Sequence, residues 1–299
     1  MCIRDSPEGN ASVNVRALNA GPAYVEQLRI EARGDITQIQ ATATLDAAID
    51  AGLPERHPIT CRLESRIAPT EQQLFLERFE GHVGAFPYAL EKPASAAYAD
   101  GTAVILAPEL RIADGRISLE ARHTDDHVSA ALRFDAIPLA LTRLVADPSV
   151  VGRLDGTVTL SGTPQTPEMR MQLDIADARL DIETAEGFEP LAAHIDVVLA
   201  LGMLDLSARA DMEDTLAFTA TGQVPVEWRL QPWYMALPDD GPLTGAAALE
   251  VAFMPITQAL GMIEHHVDAR LTGDFQLSGT VQAPEASGEA HIRDGRYEN

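Results

Sequence analysis

The chain has 299 residues and a formal net charge of −23, with 22 lysines and arginines against 45 acidic residues. This balance argues against a nucleic-acid binder, which neutralises phosphates with clustered cations, and against docking on anionic membranes through a basic patch. A hydrophobic content of 46% and a charged content of 22% are those of a globular chain and exclude intrinsic disorder.

The first ten residues predict neither a secretion signal nor a membrane anchor. Residues 1–10 (MCIRDSPEGN) are polar and look non-native or disordered. No stretch of the chain approaches the roughly 18 uninterrupted apolar residues of a membrane span. The chain stops at residues 297–299, directly after an Asp-Gly turn signal. We therefore expect a fragment of a longer protein whose other parts carry the targeting signals.

From residue 128 onward, apolar and polar residues alternate with period two. This alternation predicts strands that have one apolar face and one face in water, as in antiparallel sheets. The apolar sets are Val128, Ala130, Leu132 and Phe134; Met169, Met171, Leu173 and Ile175; Ile195, Val197, Leu199 and Leu201; Leu204, Leu206, Ala208 and Ala210; and Leu216, Phe218 and Ala220.

Turn signals separate the alternating runs at intervals that suit consecutive hairpins, and about 18 strands are predicted. Helical patterns are few: Ile137–Val145 and Pro255–Glu264 each predict a short helix. The turn signals are Ala-Asp-Gly at 99–101 and 113–115, Asp-Asp at 125–126, Ser-Gly-Thr at 161–163 and 278–280, and Asp-Gly at 294–295.

One internal repeat relates residues 153–182 to residues 270–299, with 13 identities in 30 aligned positions. The shared unit predicts a strand, a Leu-Ser-Gly-Thr turn, a Pro-Glu pair, a second strand, a turn at an acidic residue and a third strand. Repeated strand-turn-strand units indicate an elongated, repeat-like sheet instead of a closed globule. We therefore predict an all-β fold: one elongated, bent antiparallel sheet with one or two short helices.

At the repeat, the chain resembles the TamB family of AsmA-like proteins of Gram-negative bacteria. The resemblance is stronger over residues 100–299 and only general over residues 11–99, and we expect one continuous groove segment over 11–299. The segments that carry it are Leu154–Thr163 (LDGTVTLSGT), Leu271–Thr280 (LTGDFQLSGT), Asp294–Asn299 (DGRYEN), Val224–Pro232 (VPVEWRLQP) and Ala113–Leu119 (ADGRISL).

The resemblance implies a bent sheet, U-shaped in section (a β-taco), with an apolar inner groove. It implies a periplasmic position, an N-terminal helix in the inner membrane and a C-terminal region that meets a BamA-related outer-membrane partner, both outside this chain. It also implies a part in phospholipid transport between the two membranes and in outer-membrane biogenesis, including protein secretion.

The residues make a physical case for a lipid groove beside that resemblance. A single sheet has no second layer to cover its apolar face, and uncovered apolar area of more than a few hundred Å² usually marks a binding surface. Acyl chains suit such a face, since each buried CH₂ contributes about 0.8 kcal/mol. The aromatic content of 5% is low for a sugar site. The groove candidates are Leu132, Phe134, Val158, Leu160, Met171, Leu173, Ile175, Val197, Leu199, Leu201, Leu216, Phe218, Phe275 and Leu277.

Patterns that suggest chemistry are weak, and we predict no enzyme, no cofactor and no metal. His123–His127 (HTDDH) resembles a zinc-binding run, but a polar hairpin connection accounts for it better. Glu264–His266 is expected at a solvated helix end. Ser161 and Ser278 are interpreted as turn hydroxyls that bond the local backbone, because no nucleophile elbow surrounds them.

The two tryptophans and Cys61 are expected to have structural roles. Trp228 and Trp233 flank Pro232 and are expected at a packed edge of the sheet, with a membrane-interface or ligand contact as the alternative. Cys61 lies in an alternating run and is expected to be a small core or surface residue.

Two other functions compete with lipid transport. An assembly or secretion factor would pair exposed sheet edges with client strands of outer-membrane β-barrels or autotransporters. A passive β-solenoid scaffold would have a closed, filled core and a constant repeat length.

Overall fold

A computed structural model describes residues 8–20, 23–49, 57–144, 146, 149–181, 189–253 and 266–298, and within them the fold is all-β. Eighteen strands pair in an antiparallel sheet and two form a separate hairpin. The predicted all-β, antiparallel fold class is confirmed. The chain divides into two compact units, one formed mainly by residues up to 125 and 129–137, the other mainly by residues 148–299.

In the first unit, consecutive strands pair in antiparallel fashion from β1 to β5. The short strands β6 and β7 both pair with β5 on one side and with β8 on the other. The strands are β1 (Gly9–Ala20), β2 (Ala23–Gly34), β3 (Ile39–Ile49), β4 (His57–Ala68), β5 (Gln73–Val83), β6 (Phe86–Leu90), β7 (Ala94–Ala99), β8 (Thr102–Ile112), β9 (Gly115–His123) and β10 (Val128–Pro138).

In the second unit, eight strands pair in chain order, and a small hairpin is inserted between the fifth and sixth of them. The eight strands are β11 (Val150–Gly162), β12 (Pro167–Leu180), β13 (Leu191–Ala200), β14 (Met203–Met212), β15 (Leu216–Pro225), β18 (Thr244–Ala252), β19 (His266–Gly279) and β20 (Pro284–Glu298), and the inserted hairpin consists of β16 (Glu227–Leu230) and β17 (Trp233–Ala236).

Several predicted turns lie where the sequence places them. Asp100 and Gly101 connect β7 to β8 with φ angles of 49° and 75°, the left-handed pair that a two-residue hairpin turn requires. Ala113 and Asp114 connect β8 to β9. The HTDDH run joins β9 to β10, as expected for a polar connection.

The Asp-Gly signal at 294–295 is not a turn, contrary to expectation. Asp294 lies inside β20 with a φ of 57°, and the strand continues to Glu298. Asp268 pairs with Arg296 but Arg270 pairs with Arg293, so β20 has one extra residue at Asp294–Gly295, which is a β-bulge. Because β20 continues to pair with β19 beyond Asp294, the left-handed residue produces a bulge here and does not reverse the chain.

The internal repeat is a structural repeat of two hairpins, β11–β12 and β19–β20. Leu154 lies opposite Ile175, and the equivalent Leu271 lies opposite Ile292. Both hairpins carry a bulge at the same position, where Asp177 and Asp294 each have a φ of 57°. The same residue types therefore produce the same register, bulge and turn in both copies.

The turn of each repeat is closed by a threonine, which corrects the expectation for the serines. The Thr166 amide donates to Thr163 Oγ1 at 3.0 Å, and the Ala283 amide donates to Thr280 Oγ1 at 3.2 Å. Ser161 and Ser278 instead lie within β11 and β19, one residue before the strand ends.

The helical content is small. A 3₁₀ helix over Leu139–Leu144 lies within the predicted segment 137–145, and a second short one spans Pro69–Glu71. The predicted helix at 255–264 and most of the Glu264–His266 run lie outside the described residues, although β19 begins at His266.

Candidate functional site: the apolar face of the second unit

The strands of the second unit have one apolar face and one polar face. In β12, Met169, Met171, Leu173 and Ile175 alternate with polar residues such as Asp174. Successive strand side chains point to opposite faces, so each strand contributes its apolar set to one face.

Strand register brings these apolar sets together on a single face, which we call the apolar face. Residues directly opposite each other in paired strands share a face, so the pairings trace rows across the sheet. Three rows cross all eight strands, and every member is Gly, Ala, Val, Leu, Ile, Met or Phe. The rows are Val158–Met171–Val197–Leu206–Gly222–Gly245–Leu277–Ala286, Gly156–Leu173–Ile195–Ala208–Ala220–Ala247–Phe275–Gly288 and Leu154–Ile175–Ala193–Ala210–Phe218–Leu249–Gly273–Ala290.

Shorter rows extend the apolar face at both strand ends. Leu160, Met169, Leu199, Leu204 and Val224 form one of them. At a strand spacing of about 4.8 Å, a row across eight strands is roughly 34 Å long and carries no polar side chain.

The opposite face is polar and is held by cross-strand contacts. The side-chain amide of Gln172 donates to Asp196 Oδ1 at 2.9 Å, and Arg270 forms an ion pair with Glu250 at an N–O distance of 2.7 Å. Three concavities of about 690, 640 and 470 Å³ are lined mainly by residues of this polar face. The apolar face is therefore an extended surface, and these concavities lie on the other side of the sheet.

Within the described residues, part of the apolar face is exposed and much of the rest is only half-buried. Only ten hydrophobic residues are buried in the described part of the chain, among them Val197 and Leu199 of this face. Leu206 is 38% exposed, Phe275 44% and Ile292 69%. Two packed sheets with this number of strands would bury the inner side chains of both layers, so the exposed residues show that no second layer seals the face there.

Eleven of the predicted groove residues share the apolar face of the second unit. They are Val158, Leu160, Met171, Leu173, Ile175, Val197, Leu199, Leu216, Phe218, Phe275 and Leu277. Leu132 and Phe134 lie in β10, in the first unit, where both are half-buried.

Leu201 is wrongly predicted as a strand residue of this face. It occupies the β13–β14 turn with Gly202, where their φ angles are 54° and 76°, and it is 95% exposed. Two left-handed residues reverse the chain, so the alternation that begins at Ile195 ends at Leu199.

The first unit also carries apolar rows, and Cys61 belongs to one of them. Leu45 and Gly81 lie opposite Cys61 on the two neighbouring strands, and Tyr88 lies opposite Gly81. The Tyr88 hydroxyl donates to the Thr60 carbonyl oxygen at 3.0 Å. Burial is the main cause that raises the pKa of Tyr88, and Cys61 adds to the effect. Cys61, expected to be a small core or surface residue, is half-buried.

On the polar face of the second unit, His194 lies between Asp174 and Asp196, a group that we call the His194 clamp. This clamp was not predicted from the sequence. His194 Nδ1 lies 2.6 Å from Asp174 Oδ1, and its Nε2 lies 2.5 Å from Asp196 Oδ2. Only the imidazolium form can donate from both ring nitrogens. The hydrogen bond to Asp174, followed by that to Asp196, raises the pKa of His194. The hydrogen bond from Gln172, followed by that from His194, lowers the pKa of Asp196. The only signal in the sequence is the His-x-Asp spacing, since Asp174 is distant in the chain.

The described residues contain no group of three or more His, Cys, Asp or Glu side chains arranged to hold a metal ion. None of the helices described here is long and apolar enough to cross a membrane. Comparison of the chain with models of known protein families, with curated proteins and with solved structures found no match.

Proposed function

We propose that the second unit binds phospholipid acyl chains along its apolar face and acts as a non-enzymatic segment of a lipid conduit. The observation that carries this proposal is the set of apolar rows that cross eight strands in register and remain partly exposed. Exposed apolar surface of this extent is costly in water unless a ligand or partner covers it.

The chemistry of the rows suits a mobile acyl chain. Burial of methylene groups needs no directional partner and contributes about 0.8 kcal/mol per CH₂. Because the side chains in the three long rows are all apolar or glycine, neighbouring strands offer similar environments. A bound chain therefore moves from strand to strand without a deep energy minimum.

The resemblance to the TamB family supports the cellular setting of the proposal. On this resemblance we propose that the chain lies in the periplasm, as part of a protein held in the inner membrane by an N-terminal helix and joined to a BamA-related outer-membrane partner. In that setting the cargo is phospholipid moving between the inner and outer membranes, and the process supports outer-membrane biogenesis.

Site-specific crosslinking tests the proposal. A photoreactive amino acid replaces Phe218 or Leu206 on the apolar face, and in matched controls it replaces Thr219 or Ser207, the next residues along the same strands. After illumination with phospholipid vesicles, mass spectrometry should find lipid adducts at Phe218 and Leu206 at several times the control yield. Equal yields on both faces, or no adducts, would refute the proposal.

A second function is favoured by the edge strand β20. Residues 284–296 of this strand are exposed, and among the described strands β20 pairs with β19 alone, so its other edge offers backbone groups to a client strand. If β20 templates outer-membrane clients, a photoreactive residue at Glu289 should crosslink to unfolded β-barrel protein. A passive solenoid scaffold is disfavoured, because it would seal the apolar residues in a closed core.

A further inference from the structure

Both tryptophans of the chain lie in the inserted hairpin β16–β17. In this hairpin Trp228 lies opposite Met235, and Leu230 lies opposite Trp233. These four residues therefore share one face, and the two indole rings meet edge to face with centroids 6.5 Å apart. The other face carries Glu227 and a cation–π pair, in which the Arg229 guanidinium lies 4.8 Å from the Tyr234 ring centroid. The hairpin is thus amphipathic.

The inner strand of the hairpin is anchored to the sheet. The Leu230 amide donates to the Pro164 carbonyl oxygen at 2.7 Å, and Pro164 is fully buried. The Val226 amide donates to the Gly202 carbonyl oxygen at 2.8 Å, and Val226 is 4% exposed. These contacts fix the position of β16 and therefore of the whole hairpin.

The outer strand presents large apolar side chains to solvent. Trp233 is 68% exposed and Met235 56%, and Leu237, two residues further on, is 51% exposed. Leu201, which lines the same concavity as Trp228, is 95% exposed. The expected packed edge therefore holds for half-buried Trp228 but not for Trp233.

We propose that this hairpin docks on the surface of a zwitterionic phospholipid bilayer, with Trp233, Met235 and Leu237 entering the interface. Tryptophan and tyrosine favour the membrane–water boundary because their rings are apolar and carry a polar group. Glu227, Asp239 and Asp240 flank the apolar residues and are exposed. These carboxylates complement the ammonium groups that zwitterionic lipids present outermost, whereas the net charge of −23 opposes an anionic bilayer.

The inference does not require that the apolar face bind single lipids, and its test uses different residues. Since both tryptophans lie in the hairpin, indole fluorescence of the full chain reports on this element alone. The Trp228→Phe variant leaves Trp233 as the only indole. Phosphatidylcholine vesicles should shift its emission to shorter wavelength, and brominated lipids should quench it.

Vesicle flotation gives the second readout. Trp233→Ser should lower partitioning onto phosphatidylcholine vesicles about tenfold, because it removes the largest exposed apolar side chain of the hairpin. Ile36→Ser is the matched control, since Ile36 is about equally exposed, at 67%, but lies between β2 and β3 in the first unit, and this variant should float like the original chain.

Several outcomes would overturn the proposal: no emission shift with phosphatidylcholine, an equal loss of flotation in Ile36→Ser, or stronger binding to vesicles rich in phosphatidylglycerol. An emission shift that depends on protein concentration without vesicles would assign the hairpin to a contact between two copies of the chain. Lipid crosslinking at Phe218 with no flotation would refute bilayer docking and leave the proposed function intact.

Discussion

Alanine substitution of Leu199 and Leu206, which lie on the adjacent strands β13 and β14, tests whether the apolar face is buried at Leu199 and exposed at Leu206. Leu199 is 2% exposed and Leu206 is 38% exposed, and both lie in the apolar rows of the second unit. Leucine to alanine removes three carbon atoms, which amounts to about 2.4 kcal/mol when all are buried, and a rigid cavity adds to this loss. We therefore expect Leu199→Ala to lower the free energy of unfolding by about 3 kcal/mol.

Leu206→Ala should lower it by only about 1 kcal/mol, because part of the side chain already contacts water and no closed cavity forms. Urea denaturation followed by far-UV circular dichroism measures both losses, with the difference of about 2 kcal/mol as the diagnostic quantity. If both variants lost about 3 kcal/mol, a second layer would have to cover Leu206, and the open-face interpretation would be wrong.

Two further predictions concern His194 and the turn of the first repeat. The pKa of His194 is raised because the imidazole lies between Asp174 and Asp196. The His194 clamp therefore stabilises the fold at pH values below the ordinary histidine pKa of about 6.5. This stabilisation disappears as the pH rises through the higher pKa of the folded state. His194→Gln should therefore melt at a lower temperature than the original chain at pH 5.5 but not at pH 9, and an NMR titration that gave the imidazole a pKa below 6.5 would contradict this. Gly162→Ala should lower the free energy of unfolding by about 1 kcal/mol or more, since Gly162 has a φ of 104° and an added Cβ would lie 2.7 Å from the Thr166 carbonyl oxygen. Gly295→Ala is the control in the same thermal melts, because an added Cβ at Gly295 meets nothing within 4 Å.

The alternation of residues predicted much of the fold because it is a local property. In β12, period-two alternation from Met169 to Ile175 is sufficient to indicate a strand with one apolar face, and the structure has that strand. Each copy of the internal repeat is a short stretch of chain, and the shared residues within it give both hairpins the same register. Local patterns of this kind do not depend on where the strands lie in space.

The errors arise where the same local signal has two structural outcomes. Asp-Gly occurs in the β7–β8 turn at Asp100, but at Asp294 it forms a bulge inside a strand. Leu201 continues an apolar alternation but reverses the chain, because the following glycine supplies the second left-handed residue. Whether a left-handed residue makes a turn or a bulge depends on the pairing of the next residues, which the sequence does not display.

By itself, the sequence determined that this chain forms two-faced strands joined by short turns, because side-chain alternation and turn chemistry act over a few residues. Only the tertiary structure decided which strand faces unite, since register aligns Leu173, Ile195 and Ala208 in one row across three strands. It also decided that Leu199 is buried while Leu206 and Trp233 remain exposed, and that His194 meets Asp174. Burial and cross-strand contact are set by neighbours distant in the chain, so no local pattern records them.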